Sequence, residues 1–225
     1  MTKSSTTRGQ RIGIWIIAAL MALGTVGSLL VVLLANDNSG KDQARLQKMI
    51  DDYDKVVAAH NNKLSEKYFD TFKAYTNRIG EFDGNITELQ KEDLKVGDGE
   101  EITEEDLSDN APWAYYIGWL PDGTVFDSSF DAEPSDISNA TKLDGPIEIE
   151  KNGVIKGWTE GVVGMKTGGV RELTIPSSLA YGEQGSGEIP ANSTIRFVVF
   201  VIDNPDQPDY PAELLKLYER VYGAS

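Results

Sequence analysis

The sequence predicts an α+β protein in which an antiparallel sheet curves around a short helix, preceded by a transmembrane helix and a helical stalk. Three observations predict this class. Residues 12–35 form an apolar run without a charged side chain, and residues 41–77 carry apolar side chains at helical spacing. Beyond Gly84 the chain breaks into short strand-like runs separated by turn signals. A chain of 225 residues has room for one well-filled core with appendages.

The first predicted element is a membrane anchor at residues 12–35. A helix of this length rises about 1.5 Å per residue and spans a bilayer core of about 30 Å. Three basic side chains precede the run and Asp37 follows it, and basic residues favour the cytoplasmic side. We therefore expect a cytoplasmic tail at residues 1–11, a single-pass anchor in the cell membrane and an extracytoplasmic domain. A cleaved signal peptide is disfavoured because its apolar core usually has only about 7–15 residues.

Residues 36–80 are expected to form a polar linker and an amphipathic helical stalk. Apolar residues recur at intervals of four and three from Leu46 to Leu64, and the stripe continues with a slip in phase to Ile79. Three roles stay open for this helix: a spacer, a dimerising coiled coil, or a helix packed back on the domain. The coiled coil is the weakest, because too few regular heptads are present. His60 lies on the stripe and is interpreted as a structural residue.

The globular domain is predicted at residues 81–206, because Gly80 ends the helical pattern and Gly84 follows closely. Hairpin-length connections join its apolar runs, which indicates antiparallel strands. The predicted strands span residues 113–120, 124–127, 146–150, 170–175 and 194–202. One stretch with helical character lies at residues 156–163. The last segment, residues 207–225, is predicted to form a short amphipathic helix that docks on the domain or on the helix at 41–77.

Composition excludes several kinds of chemistry. The formal net charge is -15, and an acidic body repels phosphate backbones, so nucleic-acid binding is not expected. The absence of cysteine removes disulfides, thiolate nucleophiles and cysteine-bound metals, and a single histidine removes most histidine chemistry. Residues 100–109 are crowded with acids but lack the ligand spacing of a calcium loop, so a solvated loop is expected there. The sequence therefore predicts no metal site and no cofactor.

Apolar and aromatic side chains at turns and strand ends form one further set. Their periodicity alone indicates core positions. Trp158 is central among them, since a tryptophan is highly buried on average but rarely completely so, as in the floor or wall of a pocket. The set comprises Tyr116, Phe126, Val154, Ile155, Trp158, Tyr181, Ile189 and Phe197.

Five blocks of sequence contain this set and follow one another in a fixed order. They read YIG at 116–118, DGTVFDSS at 122–129, VIKGW at 154–158, LTIP with LAYG at 173–182, and IPANST at 189–194. Together they resemble the signature blocks of the FKBP-type peptidyl-prolyl cis-trans isomerases, and the resemblance covers roughly residues 89–203. It implies an FKBP-like half-barrel sheet wrapped around a short helix, a hydrophobic pocket between the two, and isomerase activity on proline-containing polypeptides.

The resemblance also implies a role for each residue of the set. Trp158 is implied as the pocket floor under the substrate proline ring, and Asp127 as the acid inside the pocket. Tyr181 is implied to offer its hydroxyl to a substrate carbonyl, and the Ile189 main chain to lie at the rim. The implied catalytic residues are Tyr116, Phe126, Asp127, Trp158, Tyr181 and Phe197, and the implied substrate-binding residues are Ile147, Val154, Ile155 and Ile189.

The sequence departs from the family pattern in three places. The connection from Asp127 to Pro146 is longer than in minimal members, and no arginine at 131–133 can pair with Asp127. We expect hydroxyls or backbone groups to hold Asp127 instead. Ile147 stands where the family has an aromatic residue, and the loop at 182–188 is short and acidic. Weak binding of macrolide inhibitors is therefore expected.

The implied reaction needs neither a nucleophile nor a cofactor. Rotation about an Xaa-Pro bond meets a barrier of about 20 kcal/mol from amide resonance, but no bond is broken. A dry aromatic pocket that prefers the twisted amide lowers this barrier. Two alternatives stay open from sequence alone. One is a non-catalytic module that binds proline-containing or apolar segments as a chaperone or scaffold, and the other is a structural protein whose helices organise a membrane complex.

Overall fold

A computed structural model describes residues 39–222 of the chain. The predicted cytoplasmic tail at 1–11 and the predicted transmembrane segment at 12–35 lie outside the described residues. Among the helices of residues 39–222, none combines the length and the apolar character that a membrane span requires.

Residues 39–222 contain four α-helices, six strands and four short 3-10 helices. The helices are α1 (Ser39–Lys73), α2 (Asp106–Asp109), α3 (Lys156–Val162) and α4 (Ala212–Tyr222). The strands are β1 (Gln90–Lys95), β2 (Trp113–Trp119), β3 (Val125–Ser128), β4 (Ile147–Glu148), β5 (Val170–Ile175) and β6 (Ile195–Ile202). Short 3-10 helices lie at Ala74–Arg78, Pro134–Asn139, Ser177–Leu179 and Gly182–Gln184.

The strands form one antiparallel sheet in the order β1-β5-β6-β2-β3, and β4 also pairs with β2. The prediction of an antiparallel sheet with a short helix is thereby confirmed. Strand β6 lies between β5 and β2, and seven of its eight residues are buried. A strand that is covered on both faces reads as a continuous apolar run, as the sequence IRFVVFVI does.

Helix α3 packs closely against β5 because two of its residues are glycines. A Cβ atom at Gly157 would overlap the Ile175 side chain, and one at Gly161 would lie 2.5 Å from a Leu173 methyl group. The close approach buries Trp158 among side chains of the sheet. We call this cluster, centred on Trp158, Leu173 and Ile175, the helix-side core.

The opposite face of the sheet carries a second cluster, which we call the outer core. It is built around Phe72, Tyr115, Trp119, Phe130 and Phe200. Phe72 comes from α1, so the second part of that helix packs on the sheet. Of the three roles left open for this helix, the packing of its second part agrees with a helix packed back on the domain.

Contacts divide the described chain into two compact units, residues 61–205 and residues 39–60 with 206–222. The unit that contains the sheet thus begins before the predicted domain start at residue 81. In the other unit, Leu214 and Leu217 of α4 are buried with Leu46 of α1. The Tyr53 hydroxyl donates a hydrogen bond of 3.1 Å to the Pro208 carbonyl. Helix α4 therefore takes one of its two predicted positions, on the helix at 41–77.

Two features differ from the expectations. Residues 100–109 are not wholly a solvated loop, because α2 forms where Leu107 can be buried. The Asp106 carboxylate accepts hydrogen bonds from the Thr103 amide at 2.7 Å and hydroxyl at 2.6 Å. Strand β1 was not predicted, because its sequence QKEDLK has no apolar alternation. It is an edge strand, and an edge strand can be polar since it pairs on one side alone.

Candidate active site

Trp158 lies at the centre of a group of aromatic rings between α3 and the sheet. Its indole is buried and meets the Phe197 ring at 5.1 Å between centroids, with an interplanar angle of 87°. The Tyr116 ring lies 5.3 Å away at 78°. These are edge-to-face geometries, which aromatic pairs prefer over a face-to-face sandwich. The indole is thus fixed in position by strands β2 and β6.

Phe126 extends the group from β3. Its ring meets Phe197 at 5.5 Å and 90°. Gly118 of β2 makes room for both rings, because a Cβ at this position would overlap Phe197 and would lie 2.7 Å from the tip of Phe126. We call the four rings of Tyr116, Phe126, Trp158 and Phe197 the aromatic pocket. Gly118 was not predicted as a site residue. The sequence signal that could have identified it is a glycine inside a buried strand whose other residues are mostly large.

All the apolar residues of the predicted site lie in or against the helix-side core. Trp158, Phe197 and Ile189 are buried members of it. The partly buried residues packed against it include Tyr116, Phe126, Ile147, Val154, Ile155 and Tyr181. The structure therefore brings the predicted residues together as a buried floor with partly accessible side chains around it.

Asp127 adds a charged group at the edge of the aromatic pocket. The Tyr116 hydroxyl donates a hydrogen bond of 2.7 Å to its carboxylate. Asp127 is exposed to solvent as a residue, but partial desolvation of its carboxyl by the neighbouring side chains raises the pKa of Asp127, and the hydrogen bonds from Tyr116 and the Ser128 amide act in the opposite direction. In the described chain no arginine or lysine forms an ion pair with Asp127. A hydroxyl and a backbone amide hold the carboxylate, as expected.

The two pocket tyrosines keep their protons at neutral pH. Burial raises the pKa of Tyr116, and the charge of Asp127 raises it further. Burial also raises the pKa of Tyr181, with a smaller effect from Asp127. Both hydroxyls are therefore hydrogen-bond donors, and that of Tyr116 is already directed to Asp127. Only the Tyr181 hydroxyl of these two is available to a ligand.

Ile155 contributes a backbone donor beside Trp158. It precedes the first residue of α3 with extended dihedrals, and its carbonyl accepts a hydrogen bond of 3.0 Å from the Trp158 amide. Its own amide has no hydrogen-bond partner among residues 39–222. The first amides at a helix start lack partners within the helix, so this one is available to a ligand. Sequence reasoning assigned only the Ile155 side chain.

The loop that carries Ile189 is closed by its own backbone. Ile189 and Ser186 exchange two hydrogen bonds, at 2.9 and 3.0 Å, and the Asn192 amide donates to the Gly182 carbonyl at 2.8 Å. Gly185 has a positive φ of 62°, and a Cβ there would overlap the Ile189 carbonyl. The Ile189 amide and carbonyl are thus both used within the loop, and the implied main-chain contact with substrate requires the carbonyl to accept a second hydrogen bond.

Comparisons with known proteins place this site within one family. Residues 113–202, which include every predicted site residue, match the model of the FKBP-type peptidyl-prolyl cis-trans isomerase family. A protein of Neisseria meningitidis serogroup A, named FK506-binding protein, is 40% identical over 130 residues, which are 57% of this chain and 94% of that protein.

A longer relative and a solved structure match as well. The FKBP-type peptidyl-prolyl cis-trans isomerase FkpA of Aeromonas hydrophila is 33% identical over 178 residues, which are 72% of this chain and 59% of that protein. The crystal structure of a peptidyl-prolyl cis-trans isomerase from Pseudomonas syringae covers 60% of this chain and 90% of its own, with 28% identity and a TM-score of 0.41.

Proposed function

Because the chain belongs to the FKBP-type peptidyl-prolyl cis-trans isomerase family, we propose that its aromatic pocket holds the proline ring of the substrate against Trp158. The protein is a peptidyl-prolyl cis-trans isomerase, and the proposal concerns where and how it acts. One observation carries it: four rings, one of which is the buried Trp158 indole, meet edge to face, and partly accessible side chains lie beside them. An apolar floor of this kind fits the ring of proline.

The pocket lowers the barrier to rotation by binding the twisted amide better than either planar isomer. Amide resonance opposes the twist, with a barrier of about 20 kcal/mol. In the twisted state the nitrogen has lost conjugation with the carbonyl. Removal of water by the rings of Trp158, Phe126 and Phe197 favours this less polar state over the planar amide.

Two donors fix the substrate backbone while the Xaa-Pro bond rotates. The Ile155 amide and the Tyr181 hydroxyl are available to substrate carbonyls. Asp127 keeps the Tyr116 hydroxyl turned toward itself, so the Tyr116 ring serves as a wall. No bond is made or broken in this scheme, and the residues present account for the chemistry.

The substrates we propose are exported polypeptides, whose folding the enzyme assists. This rests on the apolar run at 12–35, with basic residues before it, as a membrane anchor that exports the rest of the chain. Protease added to intact cells is expected to remove the isomerase domain. Full protection of the domain, under conditions that digest an external marker, would contradict this orientation.

Macrolide binding is proposed to be weak. The Neisseria relative is named for binding FK506. In this chain the partly buried Ile147 takes the place of an aromatic wall, and an aliphatic side chain offers a large ligand less contact area.

The decisive experiment compares prolyl exchange by the full-length protein with exchange by Trp158→Ala and Phe126→Ala. Loss of one large apolar contact of about 1.5–3 kcal/mol in the transition state corresponds to a fall in kcat/KM of roughly 10- to 100-fold. Phe69→Ala is the matched control, since Phe69 is a half-buried aromatic residue of the outer core. Equal effects of Phe126→Ala and Phe69→Ala on kcat/KM would overturn the proposed pocket.

A further inference from the structure

An open cleft of about 660 Å³ lies outside the aromatic pocket. None of the predicted site residues lines it, but two of its lining residues are their direct neighbours in sequence. Val125 precedes Phe126, and Glu188 precedes Ile189. Successive side chains of a strand point to opposite faces, so Val125 lies on the outer-core side while Phe126 lies in the pocket. We call this concavity the side cleft.

The side cleft has the volume of a binding site and a mixed apolar and polar lining. Sites for small ligands typically have volumes of about 300–1,000 Å³. Its apolar lining consists of Ile79, Val125, Pro134 and Ile137. Hydroxyl groups are supplied by Thr76, Thr124, Ser135 and Ser138.

The walls of the side cleft are held in place by hydrogen bonds. One wall is the 3-10 helix Pro134–Asn139, where the side-chain amide Nδ2 of Asn139 donates to both carboxylate oxygens of Asp136 at 2.8 and 2.9 Å. The Lys73 ammonium donates to the Ala140 carbonyl just beyond it, at 2.7 Å. Ile137 is buried in the outer core. The wall is therefore part of the packed structure.

The charges in the side cleft have one sign. Glu133 and Glu188 line it, and no lysine or arginine is among its lining residues in the described chain. Neither carboxylate has a hydrogen bond or an ion pair with another side chain of residues 39–222. Together with the net charge of -15, this makes the cleft complementary to a cation.

We propose that the side cleft binds a lysine- or arginine-bearing segment of the polypeptide whose proline occupies the aromatic pocket. The proposal rests on the proposed function and adds a preference among its substrates. The cationic group pairs with Glu133 and Glu188, and the aliphatic stem of the same side chain packs on the partly buried Val125 and Pro134. Lysine and arginine bury their stems in this way while their charged ends stay in water.

The test uses the full-length protein and peptides of about twelve residues with one central Xaa-Pro bond. Matched peptides carry lysine or glutamine at the positions that flank the bond. We expect kcat/KM to be about two- to five-fold higher for the lysine peptides, the range of an exposed ion pair. The double variant Glu133→Gln/Glu188→Gln should bring the lysine-to-glutamine ratio to one. High salt should do the same in the wild-type protein.

The control is Glu104→Gln, which removes one exposed carboxylate outside the cleft and should keep the preference. A ratio of one in the wild-type protein, or an unchanged ratio in the double variant, would overturn the proposal. Failure of the proposed function gives a different result, namely no exchange of any peptide. In that case an NMR titration with the lysine peptide decides. Binding that the double variant loses supports the cleft, and absence of binding overturns it.

Discussion

The two faces of the sheet are both lined by aromatic residues, but they are covered differently. On the outer face, α1 supplies Phe72, which stacks on Phe130 at 5.4 Å with an interplanar angle of 2° and is fully buried. On the other face, α3 has seven residues and is about 10 Å long, whereas β6 with eight residues extends about 26 Å. A helix this short packs on β5 and leaves the Tyr116 and Phe126 side chains of β2 and β3 only partly buried.

Aromatic residues therefore stabilise the fold on one face and form the proposed substrate pocket on the other. Both faces come from one alternation along β2, in which Tyr115 joins the outer core and Tyr116 joins the aromatic pocket. Tyr115 is fully buried. Tyr116 is half-buried and directs its hydroxyl to Asp127. The extent of cover decides which face can receive a ligand.

Phe72→Ala should give the largest separation between the faces. Removal of a fully buried phenyl ring leaves a cavity, and the free energy of unfolding should fall by about 3–5 kcal/mol. The kcat/KM of the folded fraction should stay near that of the wild-type protein, because Phe72 does not contact the aromatic pocket. Urea unfolding and prolyl exchange measure the two effects.

Phe126→Ala is the counterpart to Phe72→Ala on the open face. The loss of transition-state stabilisation, calculated from kcat/KM, should exceed the loss in free energy of unfolding, since Phe126 is only partly buried. If Phe72→Ala lowered kcat/KM of the folded protein as much as Phe126→Ala does, the division of roles between the faces would be wrong.

The central elements of this fold could be predicted from the sequence because their patterns are strong. Strand β5 was predicted at its observed bounds, and α3 within one residue. Both contribute buried side chains to the helix-side core. The predicted site residues are gathered there for the same reason.

Other features depend on what covers a surface, which a local pattern does not contain. The stripe on α1 shows that one side is apolar but not that Phe72 meets Phe130. The polar strand β1 is held by pairing with β5 and by Arg171, which donates to the Asp93 carboxylate at 2.7 Å. The side cleft is formed by residues from four separate parts of the chain. Long-range contacts of this kind were not predictable from spacing.

Gly118→Ala should lower both the free energy of unfolding and kcat/KM, with a smaller loss of stability than Phe72→Ala. The new methyl group would press on Phe197 and Phe126, and overpacking of this kind costs about 1–3 kcal/mol. Displacement of two pocket rings should also lower kcat/KM by about ten-fold, equivalent to about 1.4 kcal/mol in the transition state. Gly80→Ala is the control, because a Cβ there meets no atom within 4 Å. Wild-type kcat/KM in Gly118→Ala would show that these rings are not required in their observed positions.

The smallest expected effect concerns the pH dependence of stability at the open face. Burial raises the pKa of Asp127 above its ordinary value of 3.8, so the folded protein binds this proton more tightly than the unfolded chain. As pH rises through the window just above 3.8, the contribution of Asp127 to the free energy of unfolding therefore falls. Asp127→Asn should remove this slope, as measured by urea unfolding at a series of pH values.

Asp122→Asn provides a control of opposite sign in the same hairpin. Hydrogen bonds from the Thr124 amide and hydroxyl lower the pKa of Asp122, so its contribution to stability is present above 3.8 and is lost as pH falls below that value. Subtracting each variant's unfolding curve from that of the wild-type protein should give slopes of opposite sign. Slopes of the same sign would mean that the Asp127 carboxyl is solvated in the folded protein, and the pocket edge would then be wetter than its aromatic lining implies.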